Sequence, residues 1–298
     1  MLFRSTSLDR PGNNKSGDTS SRYVSQGQRT AHTAGATEVL SKTKKARVSN
    51  MKVIRVFPQR TSYTPDDEDV YIGEPPGLFM PECDEIHISC VFTWDMDYCE
   101  WLKGQWEFYT EKPVRLGGPA YNSPCDTFKP GVYLRQGITI TSRGCNNKCP
   151  WCMVPKREGC LKELPVTEGN IVQDNNFLQC SVEHKNRVFE MLKKQTRVSF
   201  KGGLQANLVD EHFIGNAKEL SIKELWLSCD TDNAFPAFSR ACEKLKSVGY
   251  TRNHIRCYVL IGRDENMNQA EDRLMCVYET GAMPFAQLYR DFSEVKTQ

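Results

Sequence analysis

The 298-residue chain has no run of about 18 apolar residues, so no segment is long enough to span a bilayer as a helix. Its opening, MLFRSTSLDRPGNNK, lacks the apolar stretch of a secretory signal. It also has no surplus of charge of one sign, with 39 Lys and Arg against 37 Asp and Glu and a net charge of +2. Nine of the basic residues and three of the acidic ones fall in the first 50 positions, and the remainder holds 30 basic and 34 acidic residues. Nothing in a mildly acidic body of this kind suggests the broad basic face of a nucleic-acid-binding protein. The expectation is a cytoplasmic protein whose partners include neither membrane nor nucleic acid.

Cysteine, by contrast, is plentiful. The count of 13 is odd, and a chain of this length without a leader is expected to keep its thiols reduced. Cys90, Cys229 and Cys257 sit in strand-like runs (IHISCVF, LWLSCD, IRCYVLI), and Cys242 and Cys276 in helix-like ones. All five read as structural residues, thiols in such runs behaving as small buried hydrophobes.

Residues 1–50 are rich in Ser, Thr, Gly, Asn, Lys and Arg and show almost no apolar periodicity, which predicts a disordered tail. Its Arg, Ser and Thr content is faintly that of a transit peptide, although Asp9, Asp18 and Glu38 speak against one, and Met51 reads as the true or an alternative start. Residues 51–125 predict a reduced α/β segment: strand-like MKVIRVF, a loop from Thr64 to Pro81, strand-like EIHISCVF, helix-like DMDYCEWLKGQW and then KPVRLGGPAY.

Over 126–298 the β-rich runs GITITS, NIVQDNN, RVSFKGG, ELWLSCD, IRCYVLIG and PFAQLYR alternate with amphipathic stretches. One of these, SVEHKNRVFEMLKKQ, places Val182, Val188, Met191 and Leu192 on one face. The alternation predicts α/β architecture with parallel strands, and six units in about 160 residues fit a partial (β/α)6 barrel. Chemistry in such a fold sits beyond the C-terminal ends of the strands.

The sequence TSRGCNNKCPWC follows the first of those strands directly. Thiolates are soft ligands that select zinc, copper(I) or iron–sulfur clusters, and three on one short loop point to one of these. Two readings stay open here. A closed zinc or cluster site needs a fourth ligand, for which Cys160 is nearest. A cluster held by three thiols leaves one iron open to a substrate.

Cys145, Cys149, Trp151 and Cys152 resemble the CxxxCxxC signature of the radical S-adenosylmethionine (radical SAM) enzymes, in which an aromatic residue precedes the last cysteine. The resemblance implies that these three cysteines bind three irons of a 4Fe-4S cluster while S-adenosylmethionine (SAM) chelates the fourth. It implies reductive cleavage of SAM to a 5′-deoxyadenosyl radical that acts on a substrate, fed by an electron donor such as a ferredoxin or flavodoxin. By the same resemblance Asp174 and Asn175, at the tip of the second strand, face SAM, and Leu260, Gly262 and Glu265 match a loose I-x-G-x-x-E pattern that lies against the adenine. Gly202 and Gly203 end the third strand where backbone approaches a ligand, and Asp230 ends the fourth as a ribose or substrate contact.

The glycine-glycine-glutamate motif that many members use for the SAM amino group is missing, with Asn175 or Gln173 as substitutes. Arg143 and Lys148 flank the cysteines, either to offset cluster charge or as solvated surface. CPWCMVPKREG followed by QDNNF is similar to the branch with methylthiotransferases and cobalamin-binding members, over roughly residues 113–292. No DxHxxG motif is present, His87 reads as a strand residue, and no cobalamin is expected. The chain ends about eight residues after its last strand, without the small RNA-binding domain of methylthiotransferases. Cys83, Cys90, Cys99 and Cys125 are too irregularly spaced to suggest a second cluster. The substrate stays unnamed.

Overall fold

The computed structural model describes residues 51–121, 128–263 and 265–290. The expected disordered tail and Cys125 lie outside them. Strands β1 (Val53–Phe57), β2 (Val70–Ile72), β3 (Glu85–Ser89) and, after helix α1 (Met96–Tyr109), β4 (Val114–Gly117) form a parallel sheet in the order β2-β1-β3-β4. Ile54 and Val56 of β1 and Ile86 and Ile88 of β3 meet Cys99, Leu102 and Trp106 of α1, whose helical spacing puts all three on one face. The Trp106 indole donates to the Gly73 carbonyl at 3.0 Å, so its polar atom is not stranded in the core.

Strand β2 corrects the expectation of a plain loop from Thr64 to Pro81. It is three residues at a sheet edge with no fully buried position, too short to show a period in sequence. His87 is a strand residue as read, and it also anchors the sheet. Its Nδ1 and the Tyr133 hydroxyl are 2.5 Å apart, its Nε2 lies 2.9 Å from Glu85, and Arg115 grips Glu85 through two hydrogen bonds. Arg55 adds donors to the carbonyls of Gly131 and Val132 and pairs with Asp67. Segment 131–135 is thereby tied to the first sheet.

Burial is the largest influence on His87 and pushes its pKa below the usual histidine value of 6.5, against the pull of Glu85. The folded state therefore holds neutral histidine, and the unfolded chain binds the extra proton first. Stability from this site is complete above about pH 6.5 and is lost as the pH falls toward the depressed folded value. His87→Gln is expected to reduce the fall in melting temperature between about pH 7 and pH 5.5; an unchanged slope would place the acid sensitivity elsewhere.

Strand β5 (Ile138–Thr139) opens the second sheet and runs into an antiparallel ribbon, β6 (Ser142–Arg143) and β7 (Lys162–Glu163), with the short helix α2 (Val154–Arg157) between them. Then follow β8 (Ile171–Val172), α3 (Val182–Leu192), β9 (Val198–Leu204), α4 (Glu211–Ala217), β10 (Ile222–Ser228), α5 (Phe235–Ser247), β11 (Ile255–Ile261), α6 (Met267–Glu279) and β12 (Met283–Leu288). Strand order β5-β8-β9-β10-β11-β12 reproduces sequence order and every pair is parallel, so the chain is α/β as expected. All six expected runs carry a strand. Four crossovers are helical, and the one from β5 to β8 is the irregular stretch that contains the cysteines.

One face of this sheet packs on the helices. Leu225, Leu227, Ile255, Cys257 and Val259 alternate inward, and Phe177, Phe189, Phe200 and Phe213 meet with ring centroids 5.3 to 6.0 Å apart. The opposite face carries Lys201, Trp226, Tyr258 and Phe285, half-exposed, with Trp226 and Tyr258 centroids 4.5 Å apart. On α3 the buried face is His184, Lys185, Val188, Phe189 and Leu192, with Met191 packed beside it, whereas Val182, expected on that face, is exposed in the first turn. Cys90, Cys229, Cys242 and Cys257 are buried as read, and Cys276 is exposed, on the outer side of α6.

Among the described residues no helix is long and apolar enough to cross a membrane.

Candidate functional site

The cysteine loop leaves the C-terminal end of β5 and is pinned at its root by the tip of β8. Asp174, buried, accepts from the Thr141 amide (2.6 Å), the Thr141 hydroxyl (2.6 Å) and the Ser142 hydroxyl (2.9 Å). Burial pushes its carboxyl above the usual carboxylate range, against the pull of those donors. Asn175 accepts from the Gly144 amide at 3.0 Å. Gly144 is required: its φ is +79°, and a Cβ there would lie 2.2 Å from the Cys160 carbonyl oxygen.

A cluster of carboxamides holds the rest of the loop. Gln205, just past β9, accepts at Oε1 from Asn147 (2.9 Å), Asn176 (2.8 Å) and Gln179 (2.9 Å). Gln179 in turn accepts from the Asn146 amide at 2.8 Å. Two donors converge on the Cys145 sulfur, the Asn147 amide at 3.4 Å and Asn176 Nδ2 at 3.5 Å. Such donors hold the sulfur in place on the loop. The sequence reading missed Gln179 and Gln205; the signal was the density of Asn and Gln at the ends of two successive strands.

Gln205→Leu removes the shared acceptor, and neutral hydrogen bonds contribute about 1 kcal/mol each. Alkylation of Cys145 by iodoacetamide, mapped by mass spectrometry, is expected to speed up by about tenfold. An unchanged rate would mean that the loop is held without the network.

Cys145, Cys149 and Cys152 are half-buried, whereas Cys160 is exposed. Burial raises the pKa of the Cys149 and Cys152 thiols, and nearby Cys145 and Asp230 push both further up. Their side chains are not drawn together: among the described residues no group of three or more His, Cys, Asp or Glu is gathered tightly enough to hold a metal ion. The donor set nevertheless fits an iron–sulfur cluster, being soft, confined to one loop and supplied with two donors to sulfur. Of the flanking cations, Arg143 is buried and 3.7 Å from Glu158, and Lys148 is exposed surface.

Five of the other predicted residues border two cavities, whereas Trp151, Gly203 and Gly262 border neither. Asp174, Asn175 and Gly202 border one of about 540 Å³ that reaches the first sheet. Asp230 and Glu265 border a second of about 300 Å³ at the ends of β10 and β11. Within the first, Asp174 and Asn175 spend the atoms described above on the loop. The close backbone approach at Gly202 is to protein: a Cβ would lie 1.7 Å from the Asp174 carbonyl oxygen. Between Phe200 and Leu204 the β9 register slips against β10, so Gly202 and Gly203 bulge, with Gly203 at φ +107° and open space beside it.

In the second cavity Glu265 accepts from the Gly262 amide at 3.2 Å and pairs with Arg273. Gly262 takes φ +75° at the turn. Arg273 also bonds Asp232 (2.9 Å) and the Leu260 carbonyl (2.9 Å). The sequence reading missed Arg273, although it stands with Ala270 and Val277 on the buried stripe of α6, where an arginine is out of place. Burial raises the Asp230 carboxyl, opposed by hydrogen bonds from the Leu260 backbone and from Trp151, and Arg263 lies over the Trp151 ring at 4.8 Å. Trp151 thus bridges the cysteine loop and the β10 end.

No protein-family model, curated protein or solved structure matches the chain.

Proposed function

We propose that the chain is a radical SAM enzyme on a partial (β/α)6 barrel, working in the cytoplasm. The observation that carries this reading is the place of the three thiols: one loop, at the C-terminal end of the first strand of six parallel strands in sequence order, held by side chains from the tips of the next two. Bound there, a 4Fe-4S cluster supplies the electron that splits S-adenosylmethionine into methionine and a 5′-deoxyadenosyl radical.

Cys145, Cys149 and Cys152 would hold the cluster. Asn147 and Asn176 steady Cys145, and Asp174 and Asn175 fix the loop against β8. Trp151, with Arg263 over it, covers the side toward β10. Gly203 leaves backbone open to a ligand, Asp230 and Glu265, with Arg273, offer polar contacts at the neighbouring strand ends, and Gly262 shapes the turn that carries Glu265. The reading calls for an electron donor such as a ferredoxin or flavodoxin.

The test is anaerobic reconstitution with iron and sulfide, reduction with dithionite, and assay for 5′-deoxyadenosine. About four irons per chain and formation of 5′-deoxyadenosine are expected. A metal site that forms without SAM cleavage and is lost in Cys160→Ala would replace the proposal with a closed four-thiol site.

A further inference from the structure

The first cavity opens between the C-terminal edge of the first sheet and the second sheet. Phe57 is the last residue of β1 and Ser89 the last of β3. Across the space stand Gln173 and Asn175, just past β8, and Lys201 and Tyr258 on the sheet face turned away from the helices. Ligands of parallel sheets bind beyond the carboxyl ends of the strands, and about 540 Å³ suits a small molecule. Arg55 and His87 tie the first sheet to segment 131–133, so Tyr133 is held as part of the wall.

We infer that this cavity receives the substrate of the reaction proposed above, and that the substrate is a small uncharged ring system with an amide-type edge. Flat rings form the walls: Phe57, Tyr63, Phe92, Tyr133 and Tyr258 all border the space. The charges that border it are already matched within the protein or by water. Arg143 and Glu158 face each other at 3.7 Å, Lys201 has Glu224 at 3.1 Å, Asp174 accepts from Thr141 and Ser142, and half-exposed Asp95 accepts from Gln59 at 3.4 Å. An ion entering here would give up its water with no free counter-charge to meet it.

The groups left over are neutral. Ile86 and Ile88 of β3 pack with α1, so Ser89 turns the other way with His87, whose partner Tyr133 borders the cavity. Ser89 is 3% exposed, and its hydroxyl has no hydrogen-bond partner among the described residues. Val172 packs in the helical core, so Gln173 turns to the cavity, its carboxamide equally unengaged among the described residues. Asn175 commits Oδ1 to Gly144 and keeps its Nδ2. A buried hydroxyl without a partner is costly, and a carboxamide sets a donor beside an acceptor, the complement of an amide on the ligand.

That the ligand is a substrate rests on the radical SAM reading; its binding does not. The full chain without cluster is therefore titrated by calorimetry with 2-naphthamide, 2-naphthoate and 2-naphthylmethylammonium, one ring with a neutral, an anionic and a cationic head. One site per chain is expected, with the amide bound about tenfold tighter than either ion. Ser89→Ala, which removes no bond within the described protein, is expected to keep the melting temperature and to weaken the amide about fivefold, and Gln173→Leu to weaken it about tenfold. Equal or tighter binding of either ion, or amide affinity unchanged in both variants, would overturn the inference. So would displacement of the amide by SAM from the reconstituted protein, since the space would then belong to the cofactor. Naphthamide binding without any 5′-deoxyadenosine formation would keep the ligand class and discard the radical SAM reading; 5′-deoxyadenosine formation without naphthamide binding would do the reverse.

Discussion

Cys149→Ala, and equally Cys145→Ala or Cys152→Ala, is expected to abolish both stable iron loading and 5′-deoxyadenosine formation. Changes in groups that merely support a ligand already cost about 10–100-fold, so loss of a ligand should leave below about one part in a hundred of the wild-type activity. The useful contrast is Cys160→Ala. Cys160 is exposed, and its carbonyl, not its thiol, packs against the loop at Gly144, so its side chain is expected to be dispensable. Parallel iron, sulfide and product measurements on the four variants decide the matter. Three losses and one retention support an open cluster; four losses of metal point to a closed site.

Gly202→Ala is the second large effect, and it is structural. The added Cβ would meet only backbone, 1.7 Å from the Asp174 oxygen and 2.6 Å from its carbonyl carbon. Asp174 is not free to retreat, because its carboxylate holds Thr141 and Ser142 at the root of the cysteine loop. A cost of about 3 kcal/mol or more in urea unfolding is expected, together with faster alkylation of the loop thiols. Gly104→Ala in α1 is the control: nothing lies within 4 Å of its Cβ, and alanine there should gain roughly 0.5–1 kcal/mol. A mild Gly202→Ala variant would show that the β8 tip and the β9 bulge separate without harm.

Much of this was legible in the sequence. The six strands of the larger sheet declared themselves because β-rich runs alternate with amphipathic helices, the pattern of parallel strands joined by helical crossovers. β2 escaped because three residues at an edge, none of them fully buried, carry no period. The three thiols were legible from type and spacing alone. The roles of Asp174, Asn175 and Gly202 were not, since a strand tip that braces a loop and one that faces a ligand are written in the same residues. Arg143 and Arg273 were equally hidden, because an arginine shows its burial only when the elements around it are assembled.

The strand order of the larger sheet bears on how the molecule comes into being. Each of its strands adds beside the one made just before it, so the sheet grows outward from β5 as the chain leaves the ribosome, and no strand must be inserted between two already paired. The thiol loop and the side chains of β8 and Gln205 that brace it are all synthesised before α6. Arg273 and Glu265, which organise the β10 and β11 ends, arrive among the last. The thiol-bearing end of this protein is therefore shaped early in synthesis, and the second cavity closes only when the chain is nearly complete.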